Sequence, residues 1–228
     1  DLLLGRSGDD TLHGDAGRDT VNGNSGDDRV LGGDGHDKLF GGSGDDFLDG
    51  GRDNDSLNGN SGNDRLQGNH GDDWLQGSRG NDTVLGGDGH DRLFGDRGDD
   101  ALVGGDGSDT LNGARGDDIL LGGDGDDVLL AGSGRDVVLG EMGDDFVKGQ
   151  GGTLDTVAGG EGLDRLFDLE VEINEAFELP ETLIAALDEI KERFGLASRS
   201  DVISILIART DPNTITPADA AAIRDRAN

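Results

Sequence analysis

Aspartate recurs at every ninth residue over most of this 228-residue chain: Asp10, Asp19, Asp28, Asp37, Asp46, Asp55, Asp64, Asp73, Asp82, Asp91, Asp100, Asp109, Asp118, Asp127, Asp136 and Asp145. Each stands sixth in a unit of nine, and sixteen units run without a gap from Gly5 to Lys148. Glycine opens every unit except the one beginning at Ala131, and it stands fourth in every unit except at Asp53. Position eight is always Leu or Val, from Leu12 and Val21 to Val138 and Val147. Gly32-Gly33-Asp34-Gly35-His36-Asp37-Lys38-Leu39-Phe40 and Gly86-Gly87-Asp88-Gly89-His90-Asp91-Arg92-Leu93-Phe94 show the pattern most fully. Carboxylates held at a fixed period beside glycine-rich turns point to one chemistry, the binding of a hard cation by oxygen. Glycine admits positive φ, so successive carbonyls can turn into one concavity and add their oxygens to the carboxylate.

Such an array needs a turn and a strand in every unit to position it. Positions one to six read as the turn, and positions seven to nine as a very short strand whose middle residue points inward. One aliphatic side chain per unit makes a thin ribbon of Leu and Val between two sheets, too little to offset the entropy of ordering nine residues. Carboxylates stacked at the repeat spacing also repel one another. A bound cation resolves both difficulties, because it joins neighbouring turns and cancels their charge.

Composition narrows the function classes. The chain has 44 Gly but 3 Pro and no Gly-X-Y triplet, so it is not collagen, and a fixed period this long is not the mark of a disordered segment. It has no Cys, hence no disulfide and no thiolate metal site. A formal charge of -31 repels phosphate backbones and anionic bilayers, so nucleic acid is not an expected partner. No apolar run approaches the ~20 residues of a transmembrane segment, and Asp1-Leu2-Leu3-Leu4-Gly5 does not resemble a signal peptide. That start reads as the tail of a unit cut in the middle, with further repeats or a domain expected upstream. No Ser–His pair, His-Glu-x-x-His motif or phosphate loop is present, so no enzymatic activity is expected of the chain itself.

The pattern G-G-x-G-x-D-x-(aliphatic)-x resembles the RTX family of calcium-binding nonapeptide repeats, over residues 1–167. The resemblance implies a mainly β fold, a right-handed parallel β-roll with two nonapeptides per turn and calcium between loop n and loop n+2. Its metal ligands would be the sixteen aspartates above, with main-chain carbonyls of loops such as Gly32, Gly33, Asp34 and Gly35, or Gly86, Gly87, Asp88 and Gly89. Sixteen loops in two columns give about 14 ions, whose charge of about +28 nearly cancels that of the chain. Extracellular modules bind calcium at about 0.1 to 1 mM, so such sites fill outside the cell. The resemblance further implies a secreted bacterial protein, exported unfolded by the type I secretion machinery and folded on arrival.

After Lys148 the phase slips. Residues 149–167 read as capping repeats, in which calcium at Asp155 and Asp164 is left open, and Leu154 and Leu163 stand where other loops carry polar residues. Asp53 is expected to weaken its site without breaking the roll. Positions seven and nine should face outward, and from Ile119 onward they turn apolar. Ile119, Leu121, Val137 and Leu139 should share one sheet, and Val128, Leu130 and Phe146 the other. An apolar strip of this kind calls for a cover, either the C-terminal segment or a second chain. His36 and His90 read as solvated loop residues, Trp74 as an exposed strand residue, and Arg29, Lys38, Arg65 and Arg92 as offsets to acidic neighbours, with no basic cluster.

Glycine almost vanishes after Phe167. Residues 168–228 read as a small α-helical region: a strand over 170–178, a helix opened by Leu179-Pro180-Glu181, and a second one capped by Ser198 to Asp201. Over 174–209 the order resembles a ribbon-helix-helix domain, although Asn174, Ala176 and Glu178 stand where that family carries its DNA-reading residues. The region is expected to be a cap, a secretion signal or a homodimerisation domain. The reading is therefore a calcium-binding RTX module. The alternatives are an accessory module of an extracellular protease, lipase or polysaccharide epimerase, and a structural protein that assembles through the C-terminal domain or the apolar strip.

Overall fold

The computed structural model describes residues 1–149 and 156–167, which form nineteen strands. Ten of them make one sheet: β1 (Leu2–Ser7), β3 (Thr20–Ser25), β5 (Lys38–Ser43), β7 (Ser56–Ser61), β9 (Trp74–Arg79), β11 (Arg92–Arg97), β13 (Thr110–Arg115), β15 (Val128–Ser133), β17 (Phe146–Lys148) and β19 (Arg165–Phe167). The other nine make a second sheet: β2 (Thr11–Ala16), β4 (Arg29–Asp34), β6 (Phe47–Arg52), β8 (Arg65–His70), β10 (Thr83–Asp88), β12 (Ala101–Asp106), β14 (Ile119–Asp124), β16 (Val137–Met142) and β18 (Thr156–Glu161). Each strand pairs in parallel with the second one after it, so Leu3 stands opposite Val21 and Leu93 opposite Leu111. This is a parallel β-roll with two nonapeptides to the turn. The chain divides into two units, Asp1–Glu170 and Val171–Asn228, and all the described strands lie in the first. The helices, the ribbon-helix-helix resemblance and the functions read for residues 168–228 lie outside the described residues, as do Leu154 and Asp155.

The core is the ribbon that position eight supplies. Val21, Val30, Leu39, Leu48, Leu57, Leu66, Leu75, Val84, Leu93, Leu102, Leu111, Leu120, Leu129, Val138 and Val147 are fully buried between the sheets, and Leu3, Leu12 and Leu166 cover its ends. From Gly14 onward position one is buried beside it, as glycine or as Ala131.

The strands are longer than the three residues expected. A full strand runs six residues, from position seven through position three of the following unit, and only positions four to six turn. Position two, read as part of the turn, does have positive φ, yet the chain stays in the ladder: Asn24 (φ 76°) is registered with Gly42 (φ 123°). Position three then closes the strand, its carbonyl accepting the position-four N–H of the preceding coil, as Asp34 does from Gly17 at 2.7 Å.

The apolar outward positions lie as expected. Ile119 is registered with Val137 and Leu121 with Leu139 in one sheet, and Val128 with Phe146 in the other. Ile119 is 46% exposed, whereas Leu121, Leu130 and Leu139 are half-buried. Trp74 is an exposed strand residue whose ring lies 5.7 Å from that of Phe94.

Candidate metal sites

The repeat places every position-six aspartate at the mouth of a turn with its carboxylate directed back under the chain. From Asp19 to Asp145 each is buried, at most 4% exposed, a costly place for a charge. One oxygen of each is held by the neighbouring coil: the backbone N–H of Asp10 donates to Oδ1 of Asp28, that of Asp28 to Asp46, and so on at 2.6–2.9 Å. The other column repeats this from Asp19 through Asp37 to Asp55. The register reaches both ends of the roll. The Asp1 amino group meets Oδ1 of Asp19 at 2.5 Å, and Asp145 donates to Oδ1 of Asp164 at 3.2 Å. Asp164 therefore stands in the column like the others, but half-buried.

The second oxygen decides the chemistry. Oδ2 is buried without a hydrogen-bond partner in each of Asp10, Asp19, Asp28, Asp37, Asp46, Asp55, Asp64, Asp73, Asp82, Asp91, Asp100, Asp109, Asp118 and Asp127, and in Asp145. It lies against the position-one glycine of its own unit, with the position-one carbonyl of the next coil facing it. A Cβ on Gly122 would stand 2.3 Å from Oδ2 of Asp127 and 2.6 Å from the Gly140 carbonyl oxygen, and one on Gly86 2.3 Å from Asp91 and 2.5 Å from Gly104. Glycine stands here in fifteen of the sixteen units, where a side chain would crowd the cradle. Among the described residues no three His, Cys, Asp or Glu side chains gather around one point, so a cation held here takes part of its shell from carbonyls. One carboxylate oxygen without a donor, with carbonyl oxygens beside it, is a donor set that fits a hard divalent cation.

Electrostatics favour the same answer. Burial pushes the carboxyl of Asp73 up to about 8, those of Asp55, Asp64, Asp100 and Asp127 to about 7, and those of Asp46, Asp82, Asp91 and Asp118 to about 6. The N–H bond at Oδ1 opposes that shift and neighbouring carboxylates add to it. Asp37, Asp109 and Asp145 are raised as well, again chiefly by burial. A column of carboxyls this reluctant to ionise requires either protons or cations.

Matches to the RTX calcium-binding nonapeptide repeat occur in nine overlapping stretches, which together run from residue 1 to residue 153. This chain belongs to the RTX family. No curated protein matches it.

Within the RTX roll the loop carbonyls are not equivalent. The position-three carbonyls of Asp34 and Asp88 accept N–H groups of Gly17 and Gly71, at 2.7 and 2.9 Å, so one lone pair of each is already committed to the ladder. Asp53 does adopt positive φ, at 69°, in place of the position-four glycine. Ala131 is the one opener of the sixteen units that carries a methyl group, and it is fully buried.

Sequence reasoning missed position five. Its side chains cap the backbone of the next coil, in one column without a break: Asp9 accepts from the N–H of Asp27, Asp27 from Asp45, Asp45 from Asn63, Asn63 from Asn81, Asn81 from Asp99, Asp99 from Asp117 and Asp117 from Arg135, at 2.7–3.0 Å. In the other column His36 accepts from Asn54 at 3.0 Å and His90 from Ser108 at 2.8 Å, each through Nδ1. The two histidines are therefore coil-to-coil latches and more than solvated loop residues. The signal was present in the restricted alphabet of position five, which is Asp, Asn, His or Ser, each with an acceptor, in every unit but those of Arg18 and Arg135.

Proposed function

We propose that this chain is a calcium-folded module of a secreted bacterial protein. In this reading the sixteen position-six aspartates hold calcium through Oδ2, with main-chain carbonyls of the loops completing each shell. The observation that carries the reading is the column of buried Oδ2 atoms without a donor. Bound calcium supplies positive charge between coils; the residues of the chain supply the cradle, the N–H bond that orients each carboxylate, and the exclusion of water. About 14 ions follow from two columns of loops. Weak sites of about 0.1 to 1 mM would keep the chain unfolded in a cytosol and let it fold after export, which is the service that type I secretion requires. No catalytic role is assigned to the chain, because its carboxylates are committed to the array. No helix among the described residues is long and apolar enough to cross a membrane.

Circular dichroism tests this directly. At pH 8 the chain is expected to be unordered in chelator and to gain its β signal cooperatively on addition of about 1 to 10 mM calcium, with about 14 ions bound at saturation. A spectrum indifferent to calcium would sink the proposal.

The loops are not expected to bind equally. Ala131 carries a methyl group where the other units have none, so the Asp136 loop is expected to be the weak member of the array. The substitution Ala131→Gly should raise the number of tightly bound ions by about one, read by equilibrium dialysis. An unchanged stoichiometry and midpoint would show that the methyl group is accommodated.

A structural role has a specific observation in its favour, the exposed apolar residues Ile119 and Val137, which lie side by side on one sheet. A homodimer closing over that strip predicts calcium-dependent mass growth that survives high salt.

A further inference from the structure

The absence of a basic cluster, expected from position seven, does not hold at position three. The 18-residue register stacks Arg79, Arg97 and Arg115 on consecutive coils at the ends of β9, β11 and β13. All three are exposed, and among the described residues none has an ion-pair partner. The opposite edge of the same three coils carries the inverse. Asp88, Asp106 and Asp124 stack at the ends of β10, β12 and β14, equally exposed. Asp88 meets His70 at 2.8 Å; Asp106 and Asp124 have no partner among the described residues. The two sheets run in opposite directions, so the position-three residues of one sheet lie at one lateral edge and those of the other at the far edge.

We infer that the calcium-loaded roll docks laterally onto a second copy of this chain, the arginine column of one against the aspartate column of the next. Three features select that occupant. The two columns have opposite charge and the same number of rungs. They share one pitch, the strand spacing of about 4.8 Å, because both belong to the same coils. A sideways translation brings all three pairs into register at once, whereas a two-fold axis would set Arg against Arg. Position-three side chains can also meet across this pitch, as Arg52 and Asp34 do at 3.5 Å within one edge. The contact is heterologous and does not close, so it builds rows.

Calcium gates the contact. Behind the arginine column lie the buried Asp82, Asp100 and Asp118, whose uncancelled charge would hold the field of the guanidinium groups inward. The whole chain at -31 would also repel its copies. With a divalent cation in each loop both obstacles fall away. The inference thus rests on the calcium reading above.

Sedimentation and light scattering of the full chain in calcium test it, at about 0.05 M and about 0.5 M salt. At low salt the weight-average mass is expected to rise at least about twofold with concentration and to return to 23.5 kDa at high salt. The triple variant Arg79→Gln, Arg97→Gln, Arg115→Gln should stay at the mass of one chain while keeping the β signal of the parent. Reversing one edge at a time, with Arg79→Glu, Arg97→Glu, Arg115→Glu in one chain and Asp88→Arg, Asp106→Arg, Asp124→Arg in another, should abolish self-association of each and restore it on mixing. A parent chain that folds in calcium but stays at the mass of one chain overturns this inference alone. So does a triple Gln variant that associates like the parent, or a column that binds added polyglutamate without self-association. A chain that calcium does not fold overturns both proposals.

Discussion

In chelator, the β signal of this chain is expected to be strongest near pH 4 and to decay as the pH rises to 8. The cause is the buried aspartate column. Nine of its carboxyls, among them Asp46, Asp73 and Asp100, are raised from 3.8 to about 6 to 8 in the roll, so the metal-free roll binds protons more tightly than the unfolded chain does. Stability then falls with rising pH wherever the folded state holds the extra protons. The loss begins near 3.8 and is complete once the pH exceeds the folded values. A single carboxyl moved from 3.8 to about 7, such as Asp100, costs the ionised fold about 4 kcal/mol, and the groups of one column titrate together. Calcium reverses the slope, because protons and calcium compete for the same oxygens and the calcium form should tighten from pH 6 to 8. Thermal melts at several pH values, with and without calcium, should give curves of opposite trend. Parallel trends would mean that the carboxylates are not the shared site.

Replacing Gly116 by alanine is expected to cost about 3 kcal/mol and to raise the calcium concentration needed for folding by about tenfold or more. Gly116 sits at position four with φ 129°, and a Cβ there would lie 1.7 Å from the carbonyl oxygen of Gly98. Nothing flexible can yield, since the obstacle is the backbone of the adjacent coil. Position two makes the contrast. Arg6, Asp15, Asn24, Asn60, Asn69, Ser78, Asp96, Ala114 and Glu141 all occupy it at φ 70–86°, where an L-residue is tolerated. At the glycine's own φ of 123° a Cβ on Gly87 would lie 2.1 Å from the Asn69 carbonyl oxygen, and relaxation to the φ that those nine residues adopt is expected to hold the cost of Gly87→Asn below about 1 kcal/mol. Calcium titrations of the two variants followed by circular dichroism give the comparison. Equal midpoints would refute the assignment of position four as the tight approach between coils.

The parts of the fold that depend on one residue type at one position were open to the sequence. Asp at position six and Leu or Val at position eight have no substitutes in this chain, so their burial and alignment followed from the period alone. The strand ends did not follow, because Gly32-Gly33 or Gly86-Gly87 looks like the start of a turn, whereas the chain there bends within the ladder and keeps its pairing. Position five was hidden for another reason. An imidazole and a carboxylate share no class in a composition count, and only the structure shows His36 and Asp9 making the same bond to the next coil. The arginine column was obscured by alternation: read every nine residues, Arg79, Arg97 and Arg115 are interrupted by Asp88 and Asp106, and only a period of eighteen separates the two edges.

The pairing of each strand with the second one after it sets a grammar for insertion and deletion. Nine residues are enough to preserve every glycine, aspartate and leucine in phase, yet they amount to half a revolution. Removing Gly86 to Phe94 would keep all the cradles and the ribbon of the core. It would also carry Arg97 and Arg115 to the edge opposite Arg79, and exchange the outward faces of everything downstream. Loss or gain of one unit is thus silent for cation binding and scrambles the surface, whereas loss or gain of two units changes only length. A gene built this way can lengthen in steps of one without harm to folding, but any function written on its faces constrains it to even steps.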